Sequence, residues 1–458
     1  MKLKFKLVEG AVVAPKGFKA AGVFCDIKRL GTGKGSNKGN KRDLALIVSD
    51  TPATVAGMFT TNQICAAPVK VCLERVNRGT AQAIVVNSGN ANACTGKQGL
   101  ADAREMAGFA ERALILPKGS ALVGSTGRIG VPMPMDNVRS GIIEAAVELG
   151  SSVEHAAQAA EAIMTSDTRP KQIAVEVKLR GKTVRIGGMC KGAGMIQPGM
   201  SATGKRPAAF PAGLHATMLC FITTDAAIEA KALQAALREA VAQSFNRITV
   251  DGDMSTNDTV LVLANGMVGN RESGRRKSGN RETEGGIFQA ALNHVCLELA
   301  KMIVRDGEGV HRVVTVRVNG AKSIADADAA ARAVANSPLV KTSWHGGDPN
   351  WGRIIDAIGY SPATVVEEKI DIGYSAPTPA SAKSASARQG KILWSLKRGQ
   401  PTKATFKELC AAVAPKEFDL HINLNLGKAG AVMYAADLTE DYVDFNKGDV
   451  GDPASLGG

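Results

Sequence analysis

The 458-residue sequence is poor in aromatic side chains, which make up only 4% of it. Proteins that bind single-stranded nucleic acid stack bases on aromatic rings, so the formal net charge of +13 does not by itself indicate a nucleic-acid partner. Much of the excess lysine and arginine lies in polar, glycine-rich stretches at 28–42 and 271–281, which are typical of solvent-exposed loops. The charge therefore indicates solubility first, with attraction of anionic substrates as a second role.

The sequence also lacks a regular cysteine framework and a long apolar run near its start. Its 8 cysteines are scattered without a CxxC pair, as expected for reduced thiols in the cytoplasm. The first residues alternate lysine with apolar residues, unlike the continuous hydrophobic segment of a secretion signal. No stretch is expected to reach membrane-spanning length. The sequence thus predicts a cytoplasmic protein with neither a nucleic-acid nor a membrane partner.

The chain is rich in glycine, with 50 residues, and 45% of it is hydrophobic. Short apolar, β-rich segments alternate with segments of helical periodicity. The predicted strands include 44–48, 53–59, 68–71, 83–86, 173–179, 184–188 and 259–264. The predicted helices include 100–113, 135–149, 152–164, 230–245 and 287–305. We therefore predict an α/β fold, with helices packed on layered sheets, in two related parts that divide near Thr217.

Thr217 is the candidate catalytic position. Small residues, ending in Ala216, run directly into an apolar, strand-like stretch that begins at Met218. A threonine that enters a strand is most often a β-branched residue suited to a pleated surface. If the Ala216–Thr217 peptide bond breaks, however, the freed α-amine has a pKa of about 7.7–8.0 and can accept the hydroxyl proton. Thr217 would then supply both the nucleophile and its base.

Five further motifs accompany this junction along the chain. They are Asn87-Ser-Gly-Asn-Ala-Asn-Ala-Cys-Thr-Gly96, Ser125-Thr-Gly-Arg-Ile-Gly130, Lys191-Gly-Ala-Gly-Met-Ile-Gln-Pro198, Asp306-Gly-Glu-Gly309 and Gly347-Asp-Pro-Asn-Trp-Gly-Arg353. These motifs occur in the order, and with the spread over residues 14–446, that is typical of one family. On this basis the chain resembles the ornithine acetyltransferase family of arginine biosynthesis.

The resemblance implies a self-cleaving fold of two intimately associated fragments, 1–216 and 217–458, assembled as a heterotetramer of two α and two β fragments. It implies acetyl transfer from N-acetylornithine to glutamate through an acetyl-threonine intermediate, without a metal or other cofactor. Whether acetyl-CoA also serves as a donor stays open. The resemblance implies cleavage between Ala216 and Thr217, an oxyanion hole from Thr126 and Gly127, and substrate contacts from Thr165, Lys191, Thr217, Glu308 and Asn446.

Two departures from the family pattern bear on processing and on substrate preference. Residues 199–214 lengthen the loop before the cleavage site and contain a second Ala-Thr pair, Ala202-Thr203. We expect the cut at Thr217 because the residues after it continue the family pattern, whereas those after the second pair do not. The tail after Asn446 lacks the hydroxyl residue that is common in the family.

Two other functions stay open on the sequence. A self-processed amidohydrolase or aminopeptidase of related architecture would use water as the acceptor in place of glutamate. A non-catalytic amino-acid-binding homologue would have lost processing through the longer loop at 199–214. A requirement for glutamate distinguishes the transferase from the first alternative, and acetyl transfer itself excludes the second.

Overall fold

The computed structural model describes residues 5–28, 41–179, 181–205, 218–268, 281–377 and 391–447. Within these residues the strands form two sheets, one of ten strands and one of seven. The larger sheet contains β1 (Lys6–Val8), β2 (Phe18–Val23), β3 (Leu44–Thr60), β4 (Thr80–Asn90), β5 (Ala121–Arg128), β6 (Lys171–Leu179), β7 (Lys182–Lys191), β8 (Met200–Ser201), β9 (Leu219–Thr224) and β11 (Thr259–Ala264). The smaller sheet contains β10 (Ile248–Thr249), β12 (Val313–Ala321), β13 (Asp371–Ser375), β14 (Leu393–Lys397), β15 (Gln400–Pro401), β16 (Glu417–Asn423) and β17 (Ala429–Ala436).

Strands from both sides of residue 217 share the larger sheet. Its order is β1-β6-β7-β9-β11-β3-β4-β5, and β2 and β8 also pair with β3. β9 is antiparallel to β7 and parallel to β11, and β11 is antiparallel to β3. The two strands that follow residue 217 therefore lie between strands that precede it. Residues 1–216 and 217–458 build the middle of this sheet jointly.

The larger sheet lies between two hydrophobic cores because its central strands are apolar on both faces. Along β9, Leu219 and Phe221 belong to one core, and Cys220 and Ile222 to the other. Successive side chains of a strand point to opposite faces, so a continuous apolar run buries both. The first core is covered by α1 (Ala67–Val76), α2 (Gly96–Ala113), α3 (Met135–Val147) and α4 (Val153–Ala162), and the second by α5 (Ala230–Ala242) and α6 (Arg281–Arg305).

The smaller sheet has a third core of its own. Its order is β10-β17-β12-β16-β13-β14-β15, and β12 buries Val314, Val316 and Val318 in that core. Its helices are α7 (Ile324–Asn336), α8 (Pro338–Gly346), α9 (Trp351–Gly359) and α10 (Phe406–Val413), and α11 (Glu440–Asn446) follows the last strand. Short 3-10 helices lie at Ala11–Val13, Phe245–Arg247 and Glu367–Lys369.

The predicted α/β architecture with layered sheets is confirmed, but one predicted strand is wrong. Residues 68–71 lie in α1, which begins at Ala67 with Pro68 in its first turn. Proline suits that position because its missing N–H has no partner there and its φ is already helical. The two predicted strands at 44–48 and 53–59 are one strand, β3, with a register irregularity between Val48 and Ala53.

Helix α6 contains a stretch, Gly286–Arg305, that is long and apolar enough to span a membrane. The prediction that no stretch reaches this length is therefore wrong. Half of this stretch is buried within the fold. Leu292, Val295 and Leu299 lie in the second core, against the larger sheet. A core helix of a globular domain that packs on a sheet has the same length and composition.

Candidate active site

Two of the predicted site residues meet at the ends of strands. Lys191 is the last residue of β7, and it pairs with Leu219, the first residue of β9. Its ammonium group donates a hydrogen bond to the Thr126 hydroxyl, with an Nζ–Oγ1 distance of 3.3 Å. Both side chains are buried. Thr126 lies on β5, which is several strands away from β7 in the sheet order, so this contact joins strands that are not neighbours in the sheet.

Gly127, next to Thr126, has a backbone conformation that requires glycine. Its φ is 129°, and a Cβ atom there would lie 2.3 Å from the carbonyl carbon of Gly89. The neighbouring Asn87 supports this part of β5, since its amide oxygen accepts a hydrogen bond from the Ser125 hydroxyl at 2.6 Å. The backbone around the predicted oxyanion hole is thus closely packed, and the asparagine-rich motif that begins at Asn87 supports it.

Asp167 is the centre of a buried charged cluster that the sequence analysis did not identify. Its carboxylate accepts hydrogen bonds from the Lys171 ammonium at 2.5 Å and from the Gly192 N–H at 2.7 Å. The Thr165 N–H donates to the same carboxylate at 2.9 Å, and the Lys191 ammonium lies 4.0 Å away. Burial raises the pKa of Asp167, but the two lysine charges and the Gly192 bond outweigh it and hold the pKa below its ordinary value. Asp167 therefore stays ionised and connects Thr165 to Lys191.

The two lysines of the cluster differ in how their charges are balanced. Lys171 donates directly to the carboxylates of both Asp167 and Asp306. Burial lowers the pKa of Lys171, but these two carboxylates outweigh it and raise the pKa above its ordinary value. Burial likewise lowers the pKa of Lys191, and the charges of Asp167 and Glu308 compensate only in part. Lys191 is therefore the lysine whose charge a bound anion would still stabilise.

Glu308 and Asn446, both predicted from the resemblance, lie together beside the loop that follows Lys191. The Glu308 N–H donates to the Ala193 carbonyl at 2.9 Å, and Nδ2 of Asn446 donates to Oε2 of Glu308 at 3.0 Å. A Cβ atom at Gly194 would lie 2.3 Å from Oε2 of Glu308. A residue without a side chain at position 194 therefore leaves space for the Glu308 carboxylate. The structure thus joins three motifs that are distant in the sequence.

Thr165 lines a cavity of about 460 Å³ next to the charged cluster. Lys28, Glu161, Met164 and Asp167 are among the other residues of its wall. Burial lowers the pKa of Lys28 to about 8. A cavity of this volume is in the range that proteins use for small-molecule ligands. The role of Thr165 as a substrate contact stays a prediction.

The segment before β11 contains two buried polar residues, next to the candidate site, that the sequence analysis missed. Asn257 Nδ2 donates to the carbonyls of Ser125 at 2.8 Å and Ala91 at 2.7 Å, so it ties β11 to the residue before Thr126. Asp258 Oδ1 accepts a hydrogen bond from the Met218 N–H at 2.7 Å. The signal available in the sequence was a run of polar residues, 255–258, directly before an apolar strand.

The predicted cleavage pair, Ala216 and Thr217, lies outside the described residues, which resume at Met218. Met218 is buried and hydrogen-bonded to β11, so the chain enters the larger sheet directly after the predicted cut. The competing pair is described: Ala202 and Thr203 form a turn after β8, and Thr203 is exposed. The role of Thr217 stays a prediction.

Residues 19–448 match the ArgJ family model. The chain belongs to the ArgJ family. One relative, the arginine biosynthesis bifunctional protein ArgJ of Symbiobacterium thermophilum, is 46% identical over 95% of this chain and 98% of its own length. The glutamate N-acetyltransferase of Methanocaldococcus jannaschii is 41% identical over 96% of this chain and 98% of its own. A solved ornithine acetyltransferase from Mycobacterium tuberculosis, complexed with ornithine, is 36% identical over 43% of this chain and 100% of its own, with a TM-score of 0.39.

Family membership confirms the resemblance inferred from the sequence motifs. The protein is an N-acyltransferase, an acetyltransferase of arginine biosynthesis. Within the described part of the chain, no group of three or more histidine, cysteine, aspartate or glutamate side chains is arranged to hold a metal ion. The candidate site of this ArgJ family member contains buried hydroxyl, ammonium and carboxylate groups, those of Thr126, Lys191 and Asp167.

Proposed function

We propose that the protein transfers the acetyl group of N-acetylornithine to glutamate through an acetyl ester of Thr217. The observation that carries the proposal is the buried contact between the Lys191 ammonium and the Thr126 hydroxyl, beside the first residues of β9. Thr217 precedes Met218 directly in the chain. The residue after the proposed nucleophile thus leads into β9, whose first residue pairs with Lys191.

The first proposed step is cleavage of the chain. The Thr217 hydroxyl oxygen attacks the carbonyl carbon of Ala216, the C–N bond breaks, and the acyl group moves from nitrogen to oxygen. Water then hydrolyses this ester, which releases the Ala216 carboxylate and leaves Thr217 with a free hydroxyl and a free α-amine. The small Ala216 side chain leaves the carbonyl open to attack.

The second step is transfer of the acetyl group. The Thr217 hydroxyl attacks the acetyl carbonyl of N-acetylornithine, and the α-amine takes the hydroxyl proton and passes it to the departing ornithine nitrogen. The amine of glutamate then attacks the acetyl ester, which gives N-acetylglutamate and restores the hydroxyl. In both halves the Thr126 hydroxyl and the Gly127 N–H stabilise the oxyanion of the tetrahedral intermediate.

Substrate recognition in this proposal uses opposite charges. Lys191 binds the substrate carboxylate, since burial disfavours its charge and an anion would restore the balance. Glu308, which accepts a hydrogen bond from Asn446, binds the side-chain ammonium group of the ornithine part of the substrate. Thr165 contacts the substrate from the wall of the cavity it lines. Glutamate and ornithine both carry an amino-acid end, so one set of contacts can hold each in turn.

We further propose that fragments 1–216 and 217–458 stay together after cleavage, as two α and two β fragments of a cytoplasmic enzyme. The position of β9 and β11 between β7 and β3 supports this association, since separation would break the larger sheet. Use of acetyl-CoA as a second donor is part of the proposal, because the relative from Symbiobacterium thermophilum is named bifunctional. Its test is CoA-dependent acetylation of glutamate by the same preparation.

The test of the proposed function combines intact mass with activity. Wild-type protein is expected as two fragments that meet between Ala216 and Thr217. Ornithine release from N-acetylornithine is expected to stop at about one equivalent per site without glutamate, when the acetyl ester has formed, and to continue only when glutamate is present. Thr217→Ala is expected as one uncut, inactive chain, whereas the control Thr203→Ala in the competing pair is expected to be cut and active. Continued ornithine release over many turnovers without glutamate would instead indicate a hydrolase. A loss of cleavage in Thr203→Ala would place the cut at Ala202–Thr203.

A further inference from the structure

The two amino acids of the proposed reaction carry opposite charges on their side chains. N-acetylornithine has a side-chain ammonium group, whereas glutamate has a second carboxylate. Lys191 can bind the α-carboxylate that both substrates share. A carboxylate beside Glu308 would be repelled, however, so the contact that suits ornithine disfavours glutamate. Glutamate therefore requires a further cation for its side chain.

A buried lysine, Lys28, lines the cavity next to Thr165. The cavity has a volume of about 460 Å³, and the described residues of its wall include Lys28, Thr165 and Asp167 but not Glu308. Only 3% of Lys28 is exposed. Its ammonium group donates a hydrogen bond to the Arg42 carbonyl at 2.5 Å. A few fixed polar groups in a concave wall are what gives a ligand cavity its specificity.

The Asp43 carboxylate holds the backbone of Lys28 in place. It accepts the N–H groups of Cys25 at 2.7 Å, Ile27 at 2.7 Å and Lys28 at 3.0 Å. Asp26, within the same segment, has a φ of 66°, a value that residues other than glycine seldom adopt. Such a conformation persists only where the surrounding structure enforces it, and it is common at ligand sites. Lys28 therefore reaches the cavity from a fixed segment of backbone.

The backbone of Lys28 also packs close to the predicted oxyanion hole. A Cβ atom at Gly89 would lie 2.6 Å from Cα of Lys28, and a Cβ atom at Gly127 would lie 2.3 Å from the carbonyl carbon of Gly89. One glycine thus separates the backbone of Lys28 from that of Gly127. Asp167, in the wall of the same cavity, lies 4.0 Å from the Lys191 ammonium. The cavity is therefore next to both the predicted oxyanion hole and the predicted carboxylate site.

The charges in the cavity wall favour an anionic ligand. Two of the carboxylates are already paired, Glu161 with Arg42 at 2.8 Å and Asp167 with Lys171 at 2.5 Å. Burial lowers the pKa of Lys28 to about 8, and the carboxylates nearby offset this only in part. The other charged residues of the described wall are exposed, namely Lys41 and Glu154. A carboxylate bound in the cavity would stabilise the charged form of Lys28.

We propose that Lys28 binds the side-chain carboxylate of glutamate in the second half of the reaction. The Cα–Cβ bond of an amino acid has three staggered rotamers, which direct its side chain three ways. With the α-carboxylate at Lys191, the ornithine side chain takes the direction of Glu308 and the glutamate side chain enters the cavity. The two opposite charges thus bind at separate places. This inference rests on the proposed function, because it concerns the acceptor that only a transferase uses.

The experiment compares two acceptors of the same shape, glutamate and glutamine, in the wild type and in Lys28→Met. Methionine keeps an unbranched side chain but has no charge. The ratio of kcat/KM for glutamate to that for glutamine is expected to fall by about tenfold or more in Lys28→Met, because only glutamate loses a charged partner. A residue with a purely structural role would lower both values equally. Lys28→Arg, which keeps the charge, is expected to retain the preference for glutamate.

The matched control is Lys341→Met, on α8 beside the smaller sheet. Lys341 is also buried, and its ammonium group likewise donates to a backbone carbonyl, that of Ala436. Burial lowers its pKa to about 8, as it does for Lys28. Its substitution is expected to leave the acceptor ratio as in the wild type. An unchanged ratio in Lys28→Met, or an equal fall in Lys341→Met, overturns the inference.

A second neutral variant, Lys28→Gln, stands even where Lys28→Met does not fold. Its amide N–H can still donate to the Arg42 carbonyl, and the same fall in the acceptor ratio is expected. Without an acceptor, wild type and Lys28 variants are all expected to release about one equivalent of ornithine per site, because ornithine does not use Lys28. This release with an unchanged acceptor ratio overturns the role of Lys28 alone. Its absence in the wild type overturns the proposed function, and this inference with it.

Discussion

Substitution of Asp167 by asparagine tests the buried cluster most sharply, because it removes a charge with little change of shape. In the wild type the carboxylate faces the Lys171 ammonium at 2.5 Å and the Lys191 ammonium at 4.0 Å. Lys171 keeps Asp306 as a partner, but Lys191 loses its nearest anion. Removing one member of a buried ion pair costs about 3–5 kcal/mol, since the remaining charge stays buried. We expect a loss of this size in the free energy of unfolding.

The measurement is urea denaturation at pH 7 in the Thr217→Ala background, where the chain is expected to remain in one piece. The control is Asp225→Asn, which also replaces a buried carboxylate that accepts two or more backbone N–H groups. Burial raises the pKa of Asp225, so the negative charge of Asp225 contributes little to the stability of the fold. Asp225→Asn is therefore expected to lower the free energy of unfolding by only about 1–2 kcal/mol. A cost for Asp167→Asn no larger than that of the control would refute the reasoning.

The stability difference between the wild type and Asp167→Asn is also expected to depend on pH. The pKa of Asp167 is held below its ordinary value, so its charge stabilises the fold fully above the unfolded-state pKa of about 4. This contribution is lost as the pH falls through the lower, folded-state pKa. The stability difference between wild type and Asp167→Asn is therefore expected to shrink below pH of about 4. A difference that stays constant down to pH 2 would contradict the proposed ionic origin.

Three further predictions concern the oxyanion hole and substrate binding. Thr126→Val keeps the shape but removes the hydroxyl, so kcat is expected to fall by about 10²–10³ with little change in KM, measured by steady-state acetyl transfer. Glu308→Gln keeps an acceptor for Asn446 but loses the charge, so KM for N-acetylornithine is expected to rise at least about tenfold, while chain cleavage seen by mass spectrometry is unaffected. Gly127→Ala places a Cβ atom against the Gly89 carbonyl carbon and forces a positive φ on alanine, so thermal unfolding should report a loss of at least about 2 kcal/mol.

Much of the fold could be predicted from local sequence patterns, because periodicity reflects which faces are buried. The predicted strand at 259–264 matches β11, and the predicted helix at 135–149 matches α3 closely. Residues 68–71 were wrong as a strand, because a short apolar run looks alike in a strand and in a buried helix. The pairing of β9 between β7 and β11 could not be predicted, since strand order depends on contacts between distant segments.

In the candidate site, too, residues in recognisable local motifs could be predicted, whereas residues whose only signal is a contact with a distant segment could not. Lys191 and Thr126 were predicted by resemblance, and the structure joins them although 65 residues separate them. Asn257 and Asp258 were missed because their partners lie 132 and 40 residues away, at Ser125 and Met218. A polar run before a strand is ordinary in sequence terms. It becomes notable only when its side chains are found buried and directed at two other strands.

The most direct test of the central claim is the intact mass of active wild-type protein, with the amino-terminal residue of each fragment identified. The account predicts two fragments, the second beginning at Thr217, and acetyl transfer activity that rises in proportion to the cut fraction. A preparation that is fully active while every chain remains 458 residues long would contradict it. A second fragment beginning at Thr203 would keep self-cleavage but reject Thr217 as the nucleophile.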